Sequence, residues 1–124
     1  MSNTHEERHP FLDDLTEDAE LISSVLRGPV VGRESIRQVV DAVGKFYVEQ
    51  KPTFLGAVGL RTLLEYEAKL ASGEGVNAVA VVDRNPDGTV SRVSVRMGPV
   101  DAVVALANHL RTALSGQLPD EFFL

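Results

Sequence analysis

Few side chains in this sequence are spaced for chemistry, and each has an ordinary structural alternative. Glu65 and Glu67 share one face of an alternating stretch; Arg92 and Arg96 share one face of another. They could supply an acid and a cation to a pocket, or pair across strands on an outer sheet face or at a subunit contact. The opposite positions on both stretches are the apolar ones, so outer-face ion pairing is the expected role. Asp101 follows Pro99 in a first helical turn, where the helix dipole favours a carboxylate without any catalytic duty. His109 lies further along the same helix and is expected at the surface or in a cap. Tyr47 and Tyr66 lie on or beside apolar stripes; each could aim a hydroxyl into a pocket or serve as core. His5 and His9, beside Glu6 and Glu7, make a poor metal set in a polar tail over residues 1–9 that is expected to be flexible.

Composition removes several function classes. The chain has no cysteine, hence no thiol nucleophile, thiolate metal site or disulfide framework. Its three histidines, at positions 5, 9 and 109, have no ligand spacing, so neither metal nor cofactor is expected. No glycine-rich phosphate loop joins a strand to a helix. Eighteen acidic against twelve basic residues give a net charge of -6, which disfavours non-specific nucleic-acid binding. No apolar run approaches a membrane span. The opening MSNTHEERHP lacks the apolar centre of a signal peptide, so a cytoplasmic location is expected. A chain of 124 residues, 44% of them hydrophobic, is read as one domain over 1–124 with its own core.

The elements follow from one stretch, Asp18 to Tyr47. Ala19–Leu26 is β-prone, Arg27-Gly28-Pro29 breaks it, and Val30-Val31 is a very short strand ended by Gly32. A helix then opens at Arg33 and is expected to run to residue 49. Ile36, Val39, Val40, Val43, Phe46 and Tyr47 form its apolar stripe, with Arg37, Asp41 and Lys45 opposite. Lys51-Pro52 is read as its stop. Pro10 suits the first turn of a short helix over Phe11–Leu15. Residues 53–71 alternate with period two, Phe54, Val58, Leu64 and Tyr66 facing one way, and Gly56 and Gly59 marking a bulge or bend. Val76–Asp83 is apolar on both faces and reads as a central strand covered on both sides. Asp83–Gly88 is a hairpin turn, and Thr89–Met97 the returning strand. A last helix starts at Pro99 with Val100, Val103, Val104, Ala107, Leu110 and Leu114 as its stripe. Residues 116–124 form a tail whose Phe122-Phe123-Leu124 is expected to dock on its own domain or on a partner subunit.

The segment Gly28-Pro-Val-Val-Gly-Arg-Glu-Ser-Ile36, placed between a strand and an amphipathic helix, resembles the P-x-x-G-x-x-x-I elbow of NTF2-like domains. With the strand-rich second half and the Asp-Gly hairpin, the likeness covers roughly residues 11–98 and is nearest to SnoaL-like members. It implies an α+β fold: a strongly curved antiparallel β-sheet forming a cone over α-helices. Here the N-terminal helix is shortened and a C-terminal helix is added, expected where the longer one would have packed. In ketosteroid-isomerase-like members the base comes from the first strand; the corresponding place here falls at Ser23 and Ser24, neither a base at neutral pH. The resemblance implies a pocket lined by Ser23, Phe46, Tyr47, Phe54, Val58, Tyr66, Val82 and Val95, suited to a small apolar ligand. Two function classes follow. One is a cyclase, isomerase, hydrolase or non-catalytic carrier of an apolar metabolite. The other is a homodimeric association domain, joined through the sheet face, with a vestigial or filled pocket.

Overall fold

The computed structural model describes residues 11–124. His5, His9 and the tail over residues 1–9 lie outside the described residues. In chain order the elements are a 3-10 turn (Leu12–Asp14), β1 (Leu15–Ser23), β2 (Val30–Val31), α1 (Arg33–Phe46), β3 (Tyr47–Val58), β4 (Arg61–Leu70), β5 (Gly75–Arg84), β6 (Val90–Gly98), α2 (Val100–Ala113) and a closing 3-10 turn (Asp120–Phe122). The strands form one curved six-stranded sheet in the order β2-β1-β6-β5-β4-β3. Neighbouring strands run antiparallel except β1 and β6, which are parallel. This parallel pair departs from the all-antiparallel expectation. It arises because β1 is joined to the sheet through β6, its neighbour in space but not in sequence.

Both helices pack on the inner face of the sheet, α1 against β1 and α2 against β5 and β6, and they touch each other. The elbow that starts α1 depends on Gly32, whose φ of 109° is a conformation that side-chain-bearing residues rarely adopt. Its N–H donates to Ala19 O at 2.9 Å and its carbonyl accepts from Ile36 N at 3.0 Å, tying strand to helix. Ile36, Val39 and Ala42 are buried beneath α1.

Three elements differ from the sequence reading. The first is α1, which stops at Phe46, not at residue 49, and β3 begins at once. Pro52 does not end a helix; it lies within an edge strand, where a missing N–H is tolerated. The second is the expected central strand. β5 buries Val76, Ala78, Ala80 and Val82 on its inner face, while Val79 and Val81 on the outer face are only half-buried. The third is α2, which buries Ala102, Val103, Leu106, Ala107 and Leu110 and leaves Val100 and Val104 exposed. Its inner stripe is rotated toward the small residues, which permit closer approach of helix to sheet. The short N-terminal helix is reduced to the single 3-10 turn, although Phe11 and Leu12 are buried.

The tail docks on its own domain. Phe123 is buried and bridges Leu26, Leu124 N donates to Val25 O, and Arg27 N donates to Phe122 O. Arg27 Nε also donates to Phe123 O, and an Arg111 guanidinium nitrogen donates to Leu124 O.

Candidate functional site

Strand parity decides what faces the space beneath α1. On the inner face, Ser23 of β1 stands beside Val95 of β6, Val95 beside Ala80 of β5, and Ala80 beside Leu64 of β4. A second inner row runs from Met97 through Ala78 and Tyr66 to Pro52. Above these rows α1 contributes Val39, Val40 and Val43. They enclose a cavity of about 680 Å3, completed by Phe11, Leu21, Val25 and Tyr47. The exposed members of the lining are Asp41, Gly44, Lys45, Gln50 and Pro52, and they mark its opening.

The cavity brings Ser23, Tyr47, Tyr66 and Val95 together, and leaves out the other four residues expected there. Phe54 and Val58 point to the outer face and are 52% and 76% exposed. The cause is a bulge between Pro52 and Phe54, which shifts the pairing register with β4 by one residue. Before the bulge the even positions Gln50 and Pro52 face inward; after it the odd positions Leu55 and Ala57 do. Phe46 turns toward α2 and stacks on His109, ring centroids 4.0 Å apart and planes within 7°. Val82 faces inward but is sealed in the core against Val93 and is not part of the lining. Leu21, Val39, Val40, Val43, Leu64, Ala80 and Met97 were not singled out from sequence, although the α1 stripe and the alternation of β5 and β6 carried the signal for most of them.

The polar groups inside are hydroxyls. Ser23 is buried, and its Oγ accepts from Val25 N at 3.3 Å. Ser24, on the other face, accepts from Met97 N at 3.0 Å and is spent on joining β1 to β6. The phenols of Tyr47 and Tyr66 meet at 3.0 Å, their rings edge-on with centroids 6.0 Å apart. Burial raises the pKa of Tyr47 well above the ordinary phenol value, and the neighbouring Tyr66 raises it further. Burial likewise raises Tyr66, opposed in part by its hydrogen bond with Tyr47. Both phenols are therefore neutral at physiological pH. One donates to the other, so the accepting phenol retains its own O–H for an oxygen atom in the cavity. The ionisable lining residues, Asp41 and Lys45, are exposed at the opening; among the described residues the interior lining carries no carboxylate, imidazole or amine.

The remaining candidates are structural. Arg92 pairs with Glu20 at 3.5 Å and Arg61 with Asp83 at 2.7 Å, all on the outer face. Glu65 and Arg96 share a row with Val79 between them, so they are not direct cross-strand neighbours. Glu67 stands opposite Asn77. Asp101 is exposed in the first turn of α2 and accepts from Ala102 N. His109 is neither at the surface nor in a cap: it lies half-buried between the helices, a ring nitrogen 3.3 Å from Ala42 O. Among the described residues no group of three His, Asp or Glu side chains is placed to hold a metal ion, and no helix is long and apolar enough to cross a membrane.

No family model matches the sequence, and no curated protein matches it significantly. Solved structures do match. An uncharacterised protein with a cystatin-like fold from Silicibacter pomeroyi DSS-3 superposes with a TM-score of 0.79 at 21% identity, covering 86% of this chain and 74% of that one. A steroid delta-isomerase from Pseudomonas aeruginosa gives 0.78 at 18% identity, covering 85% and 77%. A provisionally assigned SnoaL-like polyketide cyclase from Jannaschia sp. CCS1 gives 0.62 at 15% identity, covering 77% and 74%. Others with the same architecture include an NTF-2-like protein and a protein with a ketosteroid isomerase-like fold. The curved sheet, the elbow before α1 and the cavity beneath it are thus set in the NTF2-like fold shared with SnoaL-like and ketosteroid-isomerase-like proteins.

Proposed function

We propose that this protein binds a small, uncharged, largely apolar molecule carrying an oxygen acceptor, and that the site binds without transferring protons from carbon. The observation that carries this reading is the lining itself. Apolar side chains surround a volume in the range of small-molecule pockets, and the polar atoms within it are neutral hydroxyls. Burying an ionic ligand there would cost far more than its contacts return. A carbonyl or ether oxygen can accept from the tyrosine pair, while Ser23 offers a second hydroxyl at the first strand. An isomerase or cyclase acting by proton abstraction needs a base near the reacting carbon. The steroid delta-isomerase similarity suggests such chemistry, but the strand position that would supply the base holds Ser23. Among the described residues Asp41 at the opening is the one carboxylate in the lining, and it is solvated.

The test uses two probes of the same shape, 2-acetylnaphthalene and 2-ethylnaphthalene. Both are expected to raise the melting temperature, the ketone binding about two- to tenfold more tightly. Tyr66→Phe should reduce that preference, and Val95→Phe, which fills the cavity, should weaken both probes. Absence of a shift with either probe, or binding unaffected by Val95→Phe, overturns the proposal.

A second reading is supported by a different observation. The outer sheet face carries half-buried Ile22, Leu63, Val79 and Val81, rimmed by the Arg61–Asp83 and Arg92–Glu20 pairs. An apolar strip framed by polar groups suits association with a second copy. Sedimentation equilibrium at micromolar concentration tests it; a monomer throughout overturns it.

A further inference from the structure

The far edge of the sheet is unlike the rest of the surface. β3 pairs with β4 on one side and, among the described residues, has no strand on the other. Along it Val48, Phe54, Leu55 and Val58 are all exposed, as is Leu60 in the turn that follows. Natural sheets guard such edges with charge, proline or bulges. Here the guards are concentrated in the first half, which carries Glu49, Lys51, Pro52 and one bulge, the second bulge falling at the boundary at Thr53. The second half, Thr53-Phe-Leu-Gly-Ala-Val58, holds no charge and no proline. Its apolar side chains emerge on both faces, Phe54 and Val58 outward, Leu55 and Ala57 inward.

We infer that this half of β3 is the contact through which two copies of the chain join, pairing antiparallel about a two-fold axis at Leu55. The inference rests on the self-association reading but moves its contact from the outer sheet face to this edge. Three observations favour a second copy. An uncharged strand repels nothing when it meets itself, whereas the whole chain carries a charge of -6. With Leu55 opposite Leu55 of the second copy, Phe54 falls opposite Gly56. In the single chain the Phe54 ring lies over its own Gly56, its nearest atom 2.9 Å from where a Cβ would stand; the absent side chain at position 56 leaves room for one ring on this face, and pairing moves each ring from its own glycine to that of the other copy. Pro52 then falls at the end of the paired segment, where its missing N–H costs least. Last, the opposite edge of the sheet is the short β2, Val30–Val31, which cannot extend a β3 edge head-to-tail. The pairing is therefore isologous and closes at two.

Because the chain has no cysteine, one introduced thiol reports the contact without background. Directly opposed residues of an antiparallel pair lie about 4.5–5.5 Å apart at Cα, within reach of a disulfide. Leu55→Cys is expected to cross-link two copies under mild oxidation at least about tenfold faster than Val100→Cys, which is equally exposed on α2. Leu55→Lys, at a solvent-exposed position that leaves the monomer's melting temperature unchanged, should weaken the dimer at least about tenfold in sedimentation. Val81→Lys serves as the outer-face control. A monomeric wild-type chain overturns both the contact and self-association. A dimer that Val81→Lys dissociates and Leu55→Lys does not, or equal cross-linking at Leu55→Cys and Val100→Cys, overturns the β3 contact alone.

Discussion

Beneath α2 the space between helix and sheet is filled; beneath α1 much of it is open. Ala102, Leu106 and Leu110 are fully excluded from solvent, and the small residues on that face bring α2 close to β5 and β6. The inner stripe of α1 is valine-rich, and Val40 and Val43 are only partly covered because they border the cavity. One helix is packed for stability and the other roofs a hollow. The difference separates the cost of unfolding from the site of binding, so changes on the two sides should have unlike effects.

The largest effect is expected on the filled side. Leu106→Ala should cost about 2–5 kcal/mol in chemical denaturation, because the cavity it leaves cannot collapse. Val43→Ala, at a position that already borders empty space, should cost less than about 1.5 kcal/mol and alter probe binding instead. Equal losses would mean that the α1 side is as tightly packed as the α2 side.

A charge placed in the hollow gives the next effect. Ser23→Asp puts a carboxyl in an apolar lining, where burial raises its pKa above the unfolded value. The folded state then holds the proton more firmly than the unfolded one. The loss of stability, roughly 1–3 kcal/mol at pH 7, should shrink as pH falls toward 4. A loss independent of pH would place residue 23 in contact with water.

The smallest effect is spectroscopic. The chain has two tyrosines, and both are in the cavity pair. Their raised pKa values mean that tyrosinate absorbance should not appear near pH 10 while the protein stays folded. Stability contributed by the neutral phenols is present below pH 10 and lost as pH rises above it. Tyr47→Phe should flatten that decline; a normal titration in the folded wild type would show the pair to be solvated.

Much of the fold was legible in sequence because its signals are local. The Gly28-Pro29 break, the Gly32 elbow and the start of α1 depend on backbone freedom that few residues possess. The Asp83–Gly88 hairpin likewise sits between β5 and β6. What was misread depends on events at a distance. The bulge at Pro52–Phe54 reverses which residues of β3 face inward, and nothing in the alternation of Phe54, Val58 and Tyr66 announces it. The inner stripe of α2 was drawn through Val100 and Val104 because valine outranks alanine in hydrophobicity; closeness of packing chose Ala102 and Leu106. Tyr66 and Val95 keep the inward face that alternation assigns them because β4, β5 and β6 pair without a register shift between those rows, whereas Tyr47 was read on the α1 stripe and is instead the first residue of β3. The helix stop assigned to Lys51-Pro52 failed because an edge strand accepts proline as readily as a helix end does.

The parallel pairing of β1 with β6 bears on how the protein is born. The opening strand leaves the ribosome early and soon meets the two-residue β2, yet its long neighbour in the sheet, β6, is made only after four other strands and a helix. Until then Ala19 and Leu21 have no finished wall to lie against, and the β3–β4 hairpin, complete sooner, shows its apolar edge to solvent or to a chaperone. Such a topology pays loop-closure entropy before its long-range contacts form, so acquisition of the native state should be slow for a chain of this size.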